Sequence, residues 1–264
     1  MESPKIDYIQ SKDNKTIKHI ISLQQRKYRQ KFGEYTVEGI RAVTDIGKKD
    51  FLRSILIRES KRSELEPLVQ TDLNVSSVYV VQDPIFDKIE HSVNGQGILG
   101  IAKKCVNDLH SLIVEDGLYV ALDGVQDPGN LGTIIRTAVA AGAKGIFLLK
   151  GTVDPYNEKC VRSTMSALCN IPIFEDVTLS EFYDFIKDNT IKTYVTSLEN
   201  AKPYHTISYP KRTMIILGNE GNGVSREIIE MCDQAITIPM YGDIESLNVS
   251  IAAALCMYKV REQI

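Results

Sequence analysis

The sequence predicts an α/β protein made of two units, the second built on a mostly parallel sheet. Three observations lead there. Runs of strand length alternate with segments of helical periodicity along all 264 residues. Several runs, Leu118–Leu122 above all, are continuously apolar, as strands are when helices cover both faces of a parallel sheet. Finally, three loops rich in glycine and asparagine each follow such a run and precede a helix, the position at which open α/β sheets bind ligands.

In the first unit, Ile17, Ile20, Ile21 and Leu23 recur at helical spacing between Asn14 and Gln25, with Lys15, Lys18 and Gln24 among them. That pattern predicts an amphipathic helix with a basic outer face. Glu34–Val37 reads as a short strand entering a helix over Glu38–Ile46, which stops near Gly47. Arg53–Ile57 and Ser77–Val81 are β-branched strands around a charged helix from Lys61 to Gln70. A short helix at Asp83–Ile89 and a strand at Gly97–Ala102 complete a compact unit over residues 1–103. Residues 104–116 are mixed in character and read as a connector.

The second unit, 117–264, opens with the Leu118–Leu122 strand, passes through a turn-rich loop over Asp123–Thr133 and continues as a helix to Ala141. Strands are expected at Gly145–Leu149, Lys192–Thr196, Thr213–Leu217 and Ala235–Ile238, and helices at about 158–169, 179–188, 225–231 and 247–262. The last helix follows the Met240–Glu245 loop and has Ser246 as a hydroxyl cap. It carries Ser250, Ala252, Ala253, Ala254 and Cys256, small side chains that let another backbone approach closely.

Composition narrows the function classes. With 43% hydrophobic residues the chain can bury substantial cores. The N-terminus is polar and no apolar run reaches membrane-spanning length, so a cytoplasmic protein without a membrane partner is expected. Cys105, Cys160, Cys169, Cys232 and Cys256 are odd in number and contain no Cys-x-x-Cys pair, and His19, His91, His110 and His205 are scattered, so reduced thiols and no metal site are expected. Charge is uneven. Residues 1–33 hold eight Lys/Arg against Glu2, Asp7 and Asp13, a surplus of five; with −3 for the whole chain, the remainder carries −8. A basic arm on an acidic body suits contact with phosphates, and equally suits a solvated helix face.

The loops are the candidates for chemistry. They span Asp123–Arg136, Gly218–Ser225 and Met240–Asn248, and their glycines let backbone amides meet a ligand without a Cβ in the way. The second has Gly-x-x-Gly-x-Gly spacing, which is neither a dinucleotide fingerprint nor a Walker loop. Glu220 in its middle would repel a pyrophosphate but suits a cation, or a hydroxyl or amine that needs an acceptor.

Asn130-Leu-Gly-Thr-Ile-Ile-Arg136 resembles the first motif of the SpoU (TrmH-type) RNA 2′-O-methyltransferases of the SPOUT superfamily. Leu217-Gly-Asn-Glu-Gly-Asn-Gly-Val-Ser225 resembles the second, and Ile238-Pro-Met with Ser246-Leu-Asn-Val-Ser250 the third, in family order. The N-terminal half is similar to the small L30e-like RNA-binding domain of many relatives, most clearly at Tyr35–Val43. The resemblance implies a catalytic domain with a deep trefoil knot, S-adenosylmethionine as cofactor and a ribose 2′-hydroxyl of structured RNA as acceptor, ribosomal RNA first and transfer RNA as the alternative. It assigns cofactor contacts to Gly218, Ile238 and Leu247, with Met240 and Ser197 as neighbours and Asn219 and Gly223 in the same loop.

The same resemblance makes Arg136 the catalytic arginine. A guanidinium stays protonated in proteins, so its role is read as gripping the phosphate beside the target ribose and easing alkoxide formation. Asn130 is expected to orient Arg136 or the ribose, with Glu220, Ser246 and Asn248 completing a hydrogen-bond network. A homodimer is implied, with the helices after the first and third motifs at the interface. Two other classes compete: a non-catalytic RNA-binding module, and a nucleotide-dependent oxidoreductase, the latter disfavoured by the glycine spacing.

Overall fold

The computed structural model describes residues 5–73, 75–92 and 94–264; residues 1–4, where the polar N-terminal stretch begins, lie outside the described residues. The chain forms two compact units. One comprises residues up to Lys104 together with Tyr156–Ser166, the other Cys105–Pro155 and Ala167–Ile264.

The first unit contains β1 (Lys5–Ile9), α1 (Lys15–Leu23), α2 (Arg26–Phe32), β2 (Glu34–Glu38), α3 (Ile40–Gly47), β3 (Leu52–Arg58), α4 (Arg62–Asp72), β4 (Ser77–Val81), α5 (Asp83–Phe86) and β5 (Ile98–Lys103). Its sheet has the order β1-β4-β3-β5-β2, with β1, β4 and β3 parallel and β5 antiparallel to both β3 and β2. Ile17, Ile20 and Leu23 of α1 meet Leu56, Val81, Phe86, Leu99 and Ile101 in one buried cluster, which is why the helical spacing of those residues was readable in the sequence. Asn14 caps α1 by accepting from the Thr16 amide at 2.8 Å.

The remaining elements are β6 (Gly117–Asp123), α6 (Pro128–Ala140), β7 (Gly145–Leu149), α7 (Glu158–Thr164), β8 (Ile173–Val177), α8 (Leu179–Asp188), β9 (Lys192–Thr196), β10 (Lys202–Pro203), β11 (Arg212–Gly218), α9 (Arg226–Met231), β12 (Gln234–Thr237) and α10 (Val249–Arg261). All but α7 belong to the second unit, while α7 packs against β2, with the Tyr156 and Tyr35 rings 4.8 Å apart. The second sheet has the order β10-β12-β9-β11-β6-β7-β8, every pair parallel. Both faces of β6 and β11 are covered, as their unbroken apolar runs require. On one face Tyr119, Ala121, Met214 and Ile216 join Phe147, Phe174, Phe182 and Phe185 in a core. α10 packs on α6, β11 and β6.

The structure departs from the sequence reading at several elements. No strand is expected at Lys5–Ile9 or Ile173–Val177, yet β1 and β8 are there. Each lies at a sheet edge and pairs with a single neighbour, so one side tolerates the charged residues that obscure the alternation. In β8 Asp176 takes φ 53, and the register with β7 slips beside it. The helix expected over 158–169 ends at Thr164, because Met165 and Ser166 adopt left-handed φ of 49 and 71, and a 3₁₀ turn follows at Ala167–Cys169. The helix expected from Glu38 begins at Ile40, since Glu38 continues β2 and Gly39 turns the chain at φ 94.

Strand order places the loops. After β6 the chain moves to β7 on one side, and after β11 it moves to β12 on the other. The carboxyl ends of β6 and β11 therefore form a switch point, where diverging connections open a crevice.

Candidate active site

The loops after β6, β11 and β12 emerge on one edge, because the strands that carry them run parallel. The first is braced from below: the buried Thr152 hydroxyl donates to the Leu122 carbonyl at 3.0 Å and accepts from the Gly124 amide at 3.1 Å. Asp127 then starts α6 by accepting from the Asn130 amide at 2.9 Å, with Pro128 at the first helical position, where the missing N–H costs nothing.

In the second loop Asn219 and Gly223 exchange backbone hydrogen bonds of 2.9 and 3.0 Å, folding the chain back over Gly218. A Cβ on Gly218 would lie 2.1 Å from the carbonyl carbon of Gly223, so no other residue permits this fold-back. The Asn219 side chain accepts from the Gly221 and Asn222 amides at 2.9 and 3.0 Å and donates to the Gly124 carbonyl at 2.8 Å. Asp123 accepts from the Ser225 amide at 2.7 Å. Four side-chain contacts thus stabilise the second loop and join it to the first.

Glu220 makes the decisive connection. Its carboxylate accepts from the Gln126 amide at 3.1 Å, the Asp127 amide at 3.3 Å and Asn130 Nδ2 at 3.0 Å, at the positive end of α6. Burial alone would raise its pKa, but these donors outweigh burial and hold it below the ordinary carboxylate value. Asn130 Oδ1 in turn accepts from Asn248 Nδ2 at 3.0 Å. Asn248, and not Ser246 as expected, caps α10, which begins at Val249; its Oδ1 accepts from the Ser250 amide at 2.9 Å and the Ser250 hydroxyl at 2.6 Å. Capping and site building are therefore one arrangement. Asn130 thus bonds to residues 90 and 118 positions further along the chain.

Arg136 stands on the exposed face of α6, and among the described residues it makes no ion pair or side-chain hydrogen bond. A surface carboxylate does not occupy it. Ser246 is exposed and its hydroxyl is likewise without a partner among the described residues. The structure therefore joins Asn130, Glu220 and Asn248 directly, and leaves Arg136 and Ser246 outside that chain of bonds. Ser197 follows β9, its amide donating to the Ile236 carbonyl at 3.0 Å, and Ile238, Met240 and Leu247 are each half-buried along the path from β12 to α10.

The donor set also discriminates among cofactors. The segments 197–201, 218–225 and 238–248 carry Glu199, Glu220, Asp243 and Glu245 and no Lys or Arg. Such a field repels a pyrophosphate and favours a cation, while Ile238, Met240 and Leu247 offer apolar surface for a flat ring. These residues suit a sulfonium-bearing adenosine derivative better than a dinucleotide. Sequence reasoning missed Asp123, Asp127 and Thr152. The signal for Asp127 was present, as an Asp-Pro pair opening a helix. No local pattern announces the other two, whose partners lie 102 and 30 positions away.

Known proteins share this arrangement of motifs. Residues 117–258 match the SpoU rRNA Methylase family, and residues 14–100 match the MRM3-like substrate binding domain. The 23S rRNA (guanosine(2553)-2'-O)-methyltransferase RlmP of Bacillus subtilis is 33% identical over 256 residues, covering 96% of this chain and 98% of that protein. An AdoMet-bound rRNA methyltransferase from Sinorhizobium meliloti superposes with a TM-score of 0.86 at 29% identity, covering 97% of this chain and 98% of the other. The SpoU methyltransferase AviRb from Streptomyces viridochromogenes gives 0.82 at 25% identity, with 95% and 97% covered.

Proposed function

The chain belongs to the SpoU rRNA methylase family, and from that premise we propose that it transfers the methyl group of S-adenosylmethionine to a ribose 2′-hydroxyl of ribosomal RNA. The observation that carries the proposal is the hydrogen-bonded chain from Glu220 through Asn130 to Asn248, which ties the three motif loops together at the sheet's switch point.

The residues divide the work. Gly218, Asn219 and Gly223 shape the fold-back, and Ile238, Met240, Leu247 and Ser197 line the path beside it; together they hold the cofactor, largely through backbone groups. When bound, the cofactor supplies an electrophilic methyl group. Arg136, free of carboxylate partners among the described residues, grips the phosphate next to the target ribose and lowers the cost of forming an alkoxide as the 2′-hydroxyl proton passes to solvent. Glu220 is ionised and its lone pairs are engaged by three donors, so it fixes the α6 entrance instead of taking the proton. Asn130 and Asn248 fix the first and third loops so that the ribose hydroxyl lies in line with the methyl group, the alignment on which such a displacement depends. Ser246 offers its hydroxyl to the ribose.

Residues 117–264 carry this chemistry and residues 1–103, an L30e-like unit, recognise the RNA, with 104–116 between them. A deep trefoil knot is part of the proposal: the chain passes outside β9 as β12 and then returns as α10 onto β11 and β6, which supports threading beneath an earlier loop. So is a homodimer. Ala253, Cys256, Met257 and Val260 of α10 face inward, while Ile251, Leu255 and Tyr258 remain 51%, 38% and 49% exposed at helical spacing, an apolar stripe suited to a second copy. Among the described residues no helix is long and apolar enough to cross a membrane, and cytoplasmic action on RNA is proposed.

The test is transfer of labelled methyl from S-adenosylmethionine to RNA of a strain lacking this protein, with mapping of the modified ribose. Arg136→Ala should abolish transfer and leave the calorimetric affinity for S-adenosylmethionine nearly unchanged. Loss of cofactor binding together with activity would show that Arg136 serves the cofactor and not the RNA phosphate.

A further inference from the structure

We infer that the exposed face of α2 is a stacking platform for an unpaired stretch of RNA, Tyr28 and Phe32 receiving bases and Lys27 and Lys31 the adjoining phosphates; this rests on the RNA substrate proposed above. Tyr28 and Phe32 stand one helical turn apart, and their rings lie 12° from parallel with centroids 6.1 Å apart. Lys27 Nζ sits 4.8 Å from the Tyr28 centroid and Lys31 Nζ 5.3 Å from that of Phe32. Phe32 is 39% exposed and Tyr28 partly buried, and one such ring on a surface is ordinary. Two parallel rings, each with its own ammonium, match the pairing of stacking surface and charge by which single strands are bound.

The surroundings select an anionic partner. Lys15–Phe32 contains six Lys/Arg and no Asp or Glu. The neighbouring carboxylates are already engaged: Glu34 by Arg53 and His19, each at 2.6 Å, and Asp13 by Lys18 at 2.9 Å. An exposed contact between an ammonium and a ring is weak, so a base can displace the lysine, which then swings onto the phosphate of the same nucleotide.

The platform is also rigid. Arg29, on the inner side of α2 and 3% exposed, donates to the Leu23 and Gln24 carbonyls at 2.7 and 2.8 Å and locks α2 against the end of α1. The Phe32 and His19 rings meet edge to face with centroids 4.8 Å apart, and Gly33, at φ 64, ends the helix. Rings held in place before binding lose little freedom when a base arrives.

The chain contains no tryptophan, which makes a direct test possible. Phe32→Trp in the full-length protein introduces a sole indole, and titration with a short oligoadenylate should quench its fluorescence while a duplex of equal length quenches it much less. Phe32→Ala should weaken oligoadenylate binding, followed by anisotropy, about tenfold with the salt dependence unchanged. Lys27→Gln with Lys31→Gln should lower the slope of log affinity against log salt by about 0.7 per lost phosphate contact. Phe32→Leu, which keeps apolar volume without a flat ring, should behave like Phe32→Ala; wild-type behaviour would mean that apolar packing and not stacking is involved, overturning the proposal. Binding of oligoadenylate with an unquenched indole and an unaffected Phe32→Ala variant would overturn the platform alone, provided methyl transfer to RNA persists. Failure of the wild-type protein both to bind and to methylate RNA would overturn the platform together with the function beneath it.

Discussion

Asn130→Ala cuts the side-chain path that runs from the second motif loop through Asn130 to the third. It removes a bond to the Glu220 carboxylate and a bond from the Asn248 amide, each 3.0 Å long. A neutral hydrogen bond contributes about 0.5–1.5 kcal/mol and one to a charged group somewhat more. Both partners are solvent-accessible, so the lower ends apply and about 1–2 kcal/mol of stability is expected to be lost. Activity should fall further than stability suggests, because the bonds fix alignment: a drop of at least about tenfold in kcat/KM, with cofactor affinity reduced less. The assay is a double-mutant cycle read by denaturant melts and by labelled methyl transfer. Asn248→Ala removes the helix cap as well as the link, adding about 1 kcal/mol, while Asn248→Ser restores a cap without the donor to Asn130. Asn130→Ala and Asn248→Ser should therefore be non-additive by about 0.5–1 kcal/mol. Additivity within about 0.3 kcal/mol would show that the loops are not coupled through Asn130, and the hydrogen-bonded site would fall with it.

Two further outcomes are expected. Asp233 joins the starts of β9 and β12: it pairs with Lys192 and accepts from the Thr193 amide and hydroxyl at 2.9 and 2.8 Å. Burial pushes its pKa up, but Lys192 and Thr193 prevail and hold it below the ordinary value. A folded-state pKa below the unfolded one stabilises above the unfolded value, about 3.9, and that contribution is lost as pH falls through the folded pKa. Asp233→Asn should thus flatten the acid limb of stability below about pH 4, and an unchanged acid limb would contradict the clamp. On α10, Ile251→Glu with Leu255→Glu should leave the proposed dimer a monomer by light scattering and abolish methyl transfer; an active monomer, mutant or wild type, would exclude that assembly.

The sequence by itself determined the α/β class, most elements and the three loops, because those depend on local spacing: Ile17, Ile20 and Leu23 repeat at the helical period and end in the core, and Leu118–Leu122 is apolar throughout because both faces of β6 are covered. It also identified Asn130, Glu220 and Asn248 as candidates through the three motifs. Tertiary structure alone decided that these residues touch, since their bonds span 90 and 118 positions and no local pattern encodes a contact at that separation. The same holds for Asp123, for the edge strands β1 and β8, whose single neighbours make them permissive of charge, and for Tyr156–Ser166, whose place in the first unit follows from packing and not from position in the chain. Periodicity reports which face of an element is buried, whereas strand order decides which loops share an edge.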